Sequence, residues 1–564
     1  MTDLTRRPPR RRGKHLSGKH VAVAALAIAL ASAALTGLGG ASVHHGARLD
    51  QPHRAKSGGD IIFGLEAENT NYCLTKAQMA ISGIQVAAAV YDTLTIPNSK
   101  GVAVPYLAKS VEPNADFTVW TIGLRDGVTF HDGTPVDAAA VKLNLDAYRG
   151  APGAPNVGAL FPIVLNVVQD VTAPDPSTVT ITLKTPIPAF ADALYGTGRF
   201  GIMAPAQLNS GEECATKMIG SGPFKLESYA QNEKTVVVKN PDYWQQGYPK
   251  ADSITFVPVT DAAVRVNQLQ GGQLNVMHTS SAQRIEQLQG SGGQTKALVQ
   301  KPGYRELRYY IMLSDSAPFD DPVAREAFTT AIDRKTVNEI RNKGRSELSN
   351  SLMDRKAPGH LENAGYPAFN LKKAKALVEQ VKTKSGGTFD VVLGTTTDAE
   401  NSLEAQLVKE MLGKAGINAT IAVSDQATLI NKALAGSIDV LVWRNLHGGY
   451  SGSANTDNYP WWSNYTTPTG AKNLINFSRF NDATTQAALD AGRAASDRAD
   501  AKQAYTDFNR AFAAGNYITP MWWDVWAIGY LPEVNLNLPP LPDGQGKPLC
   551  VYGRIPVLGL STTG

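Results

Sequence analysis

The stretch from residue 389 to residue 443 limits the fold more than any other part of the chain. "FDVVLGTTTD", "AQLVKEMLGKAGINATIAVSD" and "TLINKALAGSIDVLVW" alternate short β-branched runs with helical periodicity. Such a β-α-β-α-β order predicts a parallel sheet covered by helices, because parallel neighbours need a long crossover. Two helices precede it. "PFDDPVAREAFTTAIDRKTVNEIRNKG" reads as one helix with Pro322 at its start, and "NLKKAKALVEQVK" as a second. Before about residue 300 the chain is strand-rich and broken by Pro and Gly. "DIIFGLEAEN" alternates like a first strand, "QVAAAVYDTLTIPN" reads as a helix entering a turn, and "VTAPDPSTVTITLK" as two strands. After a last helix, "RADAKQAYTDFNRAFAAG", come "NYITPMWWDVWAIGY" and a Pro-rich end. A chain of 564 residues exceeds what one core usually serves. Two α/β lobes are expected, with the polypeptide returning to the first at its end.

Residues 1–41 read as an export segment. Arg6, Arg7, Arg10, Arg11, Arg12, Lys14 and Lys19 precede an uncharged apolar run, Val21 to Leu38, and the small residues "TGLGGAS". The run is long enough to span a bilayer, so a cleaved signal and an uncleaved membrane anchor are both open. Removing the segment takes away seven bases and one acid, and the net charge falls from +4 to −2. That balance argues against a nucleic-acid partner. No cysteine follows the run directly, which excludes a lipid-modified one there. Residues 42–57 read as a flexible tether, with His44, His45 and His53 as solvated linker. Outside the cytoplasm, Cys73, Cys214 and Cys550 imply one disulfide and one odd thiol. Cys73–Cys214 is the favoured pairing, and three buried thiols are the alternative.

"LRDGVTFHDGTP" (124–135) gathers a histidine and carboxylates, yet turn chemistry accounts for it. Asp126-Gly127 predicts a hairpin, Asp132-Gly133 a second turn, and Thr134 an N-cap followed by Pro135 and Asp137. Only His131 lacks a structural role in that reading. The "GSGP" near residue 220 lacks the Lys-Ser/Thr of a phosphate loop and reads as structural.

Taken together, "YDTL", "VPYLAKSVEPNADFTVWTIGLRDGVTFHDGTPVDAAAVKLNLD", "GSGPFKL", "NPDYW", "PFDDPVAREAFTTAIDR", "AGINATI" and "LAGSIDVLVW" resemble, in order, the extracellular solute-binding proteins of family 5. Those are the dipeptide, oligopeptide and nickel receptors of ABC importers, and the resemblance covers nearly everything after residue 58. It implies a two-lobed α/β periplasmic-binding-protein fold of type II (the large cluster C form). The first lobe would be residues 58–305 plus 510–564, the second 306–509, and the ligand would lie in a cleft between them. It further implies a monomer exported to the cell envelope, which captures a small organic or oligopeptide ligand without a cofactor and delivers it to permease subunits in the membrane.

In peptide-binding members the strand matching "DVLVW" leads into a Trp and then an Asp that pairs with the peptide ammonium. Here Trp443 matches, but Arg444, Asn445, Leu446 and His447 follow. Arg444 suggests an anionic ligand group, or else a structural pair with a neighbour such as Asp439. The resemblance also brings to the pocket Glu66, Asn69, Asn71, His278 and Thr279 from the first lobe. Tyr459, Trp461, Trp462 and Trp523 are candidates for stacking on ligand, with core packing the alternative, favoured for Trp522 and Trp526. His278 and His447 are too few to hold a metal directly, and no metal site is expected. A secreted hydrolase is the rival reading, but neither a GxSxG elbow nor an HExxH helix is present. A tethered receptor with no import role is the other.

Overall fold

The computed structural model describes residues 58–158, 161–300, 305–446, 455–467, 470–550 and 552–563. Residues 1–57, read above as export segment and tether, and His447 lie outside the described residues. Two large sheets organise the rest. The first runs in the order Lys296–Val299, Ala527–Tyr530, Val276–Thr279, Asp60–Leu65, Ser253–Pro258, Lys234–Lys239 and Phe224–Ala230. Its central strand, Asp60–Leu65, is parallel to both neighbours. A four-stranded antiparallel sheet, Ala108–Pro113, Val119–Leu124, Thr178–Leu183 and Val168–Asp175, belongs to the same half of the chain.

The second large sheet runs Glu347–Leu348, Ile518–Asp524, Glu306–Met312, Val440–Leu446, Asp390–Thr396 and Asn418–Ser424. Strand Asp390–Thr396 is parallel to both Asn418–Ser424 and Val440–Leu446, as the alternating pattern predicts. Helices Ala399–Ala415 and Gln426–Ala435 make the crossovers, each capped by an aspartate (Asp398, Asp425) and closed by a left-handed glycine. Strand Glu306–Met312 is buried on both faces. Leu307, Tyr309 and Ile311 enter one core, Tyr310 and Met312 the other. That is why its sequence shows no clean polar alternation.

The chain enters the second sheet between Val299 and Glu306 and leaves it between Asp524 and Ala527. The two crossings touch, with the Gln300 amide donating to the Trp526 carbonyl at 2.8 Å. Strand Ile518–Asp524 belongs to the second sheet, so the return falls after Asp524 and not at residue 510. Among the described residues no helix is long and apolar enough to cross a membrane.

Three local expectations are corrected. The hairpin at Asp126-Gly127 does not form, because Val119–Leu124 already has Ala108–Pro113 on one edge and Thr178–Leu183 on the other. The segment after Gly127 leaves the sheet and keeps only a bridge between Thr129 and Pro135. Asp137, not Thr134, caps helix Ala138–Arg149, accepting from the Ala140 amide at 2.8 Å. The Thr134 hydroxyl and amide are taken by Asp132. Helix 322–342 is two helices, Pro322–Ala331 and Arg334–Asn342. Ile332 is extended between them, and Asp333 caps the second through the Thr336 amide.

His131 receives its structural account. Its Nδ1 accepts from the Gly220 amide at 3.3 Å and its Nε2 donates to the Gly222 carbonyl at 3.0 Å. A Cβ on Gly220 would sit 2.0 Å from the Val90 carbonyl oxygen, so the "GSGP" loop needs glycine for close approach, not for a phosphate. Burial pushes the His131 imidazolium down to about 4, keeping the ring neutral.

Candidate ligand cleft

A cleft of about 580 Å³ opens between the two large sheets and takes lining residues from both. From the first come Glu66, at the end of the central strand, Arg265 on helix Ala262–Gln270, and Ser280 and Ser281. The second contributes Glu306, Arg308, Arg341, Asp398, Glu400, Asn401, Trp443, Arg444 and Asn445.

Arg444 reaches across the cleft. It is ion-paired with Glu66, its Nε lies 3.3 Å from Glu306, and it donates to the Ser280 hydroxyl at 2.6 Å. The guanidinium lies over the Trp526 ring at 4.6 Å, and the Trp526 indole donates to Glu306 at 2.7 Å. Burial alone would lower Arg444, but Glu66, Glu306 and Asp524 hold it above its ordinary value. Burial pushes the Glu306 carboxyl up to about 7 against the pull of Arg444. Asp439, the partner considered from sequence, instead accepts from the Val392 amide at 2.8 Å.

Deeper in the wall, Glu404 is fully buried and pairs with Arg308 at 2.8 Å and Arg341 at 3.1 Å. Arg265 differs from these cations. It is 2% exposed and donates to the carbonyls of His278, Val259 and Thr260, but forms no ion pair among the described residues. Desolvation therefore lowers it below its ordinary value.

The candidates from sequence divide. Glu66, Trp443, Arg444, Asn445 and Trp461 line the cleft. Asn69 and Asn71 line a neighbouring cavity of about 210 Å³ instead. His278 and Thr279 are buried behind the wall. The His278 Nε2 accepts from the Glu66 amide at 3.0 Å while Nδ1 donates to the Gly553 carbonyl at 3.1 Å, so His278 positions Glu66. Trp462 and Trp523 are core residues, packed with Tyr309, Phe512 and Leu307. Tyr459 is half-buried outside the cleft, with Arg493 3.9 Å over its ring and its hydroxyl donating to Asp490. Residues 455–462 form a helix, so the neighbours Trp461 and Trp462 point in different directions. Cys73 and Cys214 are joined in a disulfide, and Cys550 is free. Among the described residues no group of three His, Cys, Asp or Glu is arranged to hold a metal ion. Sequence reasoning missed Arg265, Arg308 and Arg341. A usable signal existed for Arg308, since a charge within the otherwise apolar "LRYYIM" must be paired.

Burial, helped by Arg265 and Arg444 nearby, pushes the His278 imidazolium down to about 3. A depressed histidine contributes stability that is complete above the unfolded value near 6.5 and is lost as pH falls below it. At pH ~5 this loss is about 2 kcal/mol for His278. The buried acids Asp92 and Glu306, both raised to about 7, act with the opposite sign over the same window and mask it in the wild type. The expectation is a comparison: between pH ~7.5 and ~5, His278→Gln gains about 2 kcal/mol relative to the wild type in urea unfolding. Parallel profiles for the two proteins would show that His278 is not held neutral.

The sequence profile described as bacterial extracellular solute-binding proteins, family 5 middle, matches residues 102–471, well over half the chain. The chain belongs to this family. It is 31% identical over 320 residues to the glutathione-binding protein GsiB of Salmonella paratyphi A, a match covering 57% of this chain and 60% of that protein. GsiB of Escherichia coli O157:H7 is 30% identical over 321 residues, with the same coverage. The chain thus spans about 60% of the length of these curated relatives. Among solved structures, the binding protein AgaA in complex with agropinic acid, from A. tumefacien R10, superimposes with a TM-score of 0.77 at 25% identity. That superposition covers 90% of this chain and 99% of AgaA. DppA from Helicobacter pylori, in complex with the peptide STSA, gives 0.78 at 20% identity over the same shares. The fold is that of the family 5 periplasmic binding proteins.

Proposed function

We propose that the protein is the exported substrate-binding component of an ABC importer, taking a zwitterionic, peptide-like solute between its two lobes and delivering it to a membrane permease. The observation that carries the ligand class is the state of the cleft cations. Arg444 is engaged by Glu66 and Glu306, and Arg308 and Arg341 by Glu404, whereas Arg265 forms no ion pair among the described residues. A ligand carboxylate supplies what Arg265 lacks, and Asp398 stands within its electrostatic reach to receive an ammonium. Relatives named for glutathione and a neighbour bound to a peptide support the same class. Closure of the lobes on the ligand follows from burying it between them.

Binding without catalysis is part of this reading. The described Ser–His contact, Ser82 Oγ to His278 Nε2 at 3.3 Å, is buried behind the cleft wall, and that nitrogen already accepts from the Glu66 amide. Native mass spectrometry of the purified protein, before and after denaturation, identifies a co-purified ligand. For the carboxylate, the measurement is titration with that ligand and with its carboxamide analogue. The wild type is expected to prefer the acid by roughly 10- to 150-fold, and Arg265→Gln to lose the preference. Equal affinity for acid and amide in the wild type would remove Arg265 from the ligand site.

A further inference from the structure

The cleft is lined by two chemically distinct sets of side chains. Ion pairs and hydrogen bonds join the first set around Arg444 and Glu404. Ring contacts join the second. Phe477 stands edge-on between Trp443, at 5.1 Å and 89°, and Trp461, at 5.4 Å and 86°. A second ring pair of the lining, Phe161 and Phe200, meets at 5.3 Å and 67°. All five rings line the cleft. Among the described residues no cation lies over any of them, whereas Trp522, Trp523 and Trp526 each carry an arginine.

The two tryptophans among them also differ in exposure from the chain's buried tryptophans, whereas Phe161, Phe200 and Phe477 are buried. Trp462, Trp522, Trp523 and Trp526 are essentially fully buried, while Trp443 and Trp461 are only half-buried, with surface open to the cleft. The helix bearing Trp461 packs against Gly196–Gly198, which ends two residues before Phe200, so the two ring clusters are held close to one another. Two half-open tryptophan faces, with buried phenylalanine rings completing the lining, form a slot for an apolar or aromatic group.

We propose that these five aromatic residues form a selecting subsite for an aromatic or bulky apolar side chain of the ligand, set apart from the charged set that holds its termini. The proposal rests on the reading of a peptide-like solute and goes beyond it. It assigns the protein to amphipathic ligands and away from small or wholly polar ones. Trp461 is its principal contact, because its helix closes the slot from one side.

The test is calorimetric titration of the purified protein with alanyl-phenylalanine, alanyl-alanine, alanyl-glutamate and glutathione. Alanyl-phenylalanine is expected to bind about 10- to 100-fold more tightly than alanyl-alanine. Trp461→Ala should bring that ratio close to one, and Trp461→Phe should retain most of it. Ratios within one variant are insensitive to a general loss of folded protein, which thermal melts of both variants monitor separately. Equal affinities in the wild type, tightest binding of glutathione or alanyl-glutamate, or an undiminished ratio in Trp461→Ala would each overturn the subsite while leaving the peptide-like reading in place. A protein that binds none of the four ligands would sink both.

Discussion

Replacing Glu404 with Gln is expected to cost about 3–5 kcal/mol of folding stability, a large part of what a native domain has. Glu404 has no exposed surface, and its carboxylate is shared by Arg308 and Arg341, themselves 3% and 7% exposed. An amide supplies one acceptor oxygen but no charge, and its NH₂ group faces two guanidiniums. Asn401 takes one Arg308 nitrogen, yet it is neutral. Arg341 has fallbacks, in Glu400 at 3.8 Å and the Trp522 ring at 5.4 Å, whereas Arg308 has none as close. The double variant Glu404→Met with Arg308→Met should therefore be more stable than Glu404→Gln alone, since it removes the cation left bare. Denaturant unfolding of the three proteins decides this. A single-variant cost below about 1 kcal/mol would mean that water reaches the triad and that burial is not what fixes it.

The effect reaches the cleft, because Arg308 and Arg341 line it. Glu404 offsets one of their two charges and Glu400, 3.8 Å from Arg341, offsets the other, so together they add no net charge for a ligand to meet. One buried carboxylate thus helps both to hold helix Ala399–Ala415 on its sheet and to set how many cations the site offers.

Periodicity made the second sheet readable, since its crossover helices and strands are long enough for their patterns to stand out. Failures came where two periods meet or where a distant strand decides the outcome. The "VWTIGLRDGVTF" segment has hairpin chemistry, but Thr178–Leu183 takes the edge its second strand would need. The site was legible where a residue sits at a strand end beside the cleft, as for Glu66, Trp443 and Arg444. It was not legible for Arg265, because a single arginine in "AAVRVNQL" looks the same whether it faces solvent or a cleft. Its acceptors, Val259 and His278, are fixed by the fold. Adjacent tryptophans posed the same problem. Trp522 and Trp523 face opposite sides of a sheet covered on both, so both are buried.

Reduction of Cys73–Cys214 is expected to have the other large effect. The bond closes a loop of 141 residues, and chain entropy alone assigns such a crosslink about 5 kcal/mol. Its position matters as much as its loop. Cys73 lies just beyond the segment 66–71, which lines both cavities, and the Tyr72 amide donates to the Ala215 carbonyl at 2.8 Å beside the bond. Cys214 starts the short helix Cys214–Lys217, and the Gln207 side chain ties Tyr72 and Cys214 together through their carbonyls. The crosslink therefore anchors one wall of the cleft to the body of the first sheet's half. Dithiothreitol, or the double variant Cys73→Ala with Cys214→Ala, should lower the melting temperature and weaken ligand binding together. Cys550→Ser should do neither, since burial pushes that thiol up to about 12 and leaves it unreactive. A melting temperature unchanged by the reductant, with both thiols shown by mass to be free, would mean that the wall is held by its hydrogen bonds alone. The disulfide would then not be a support for the site.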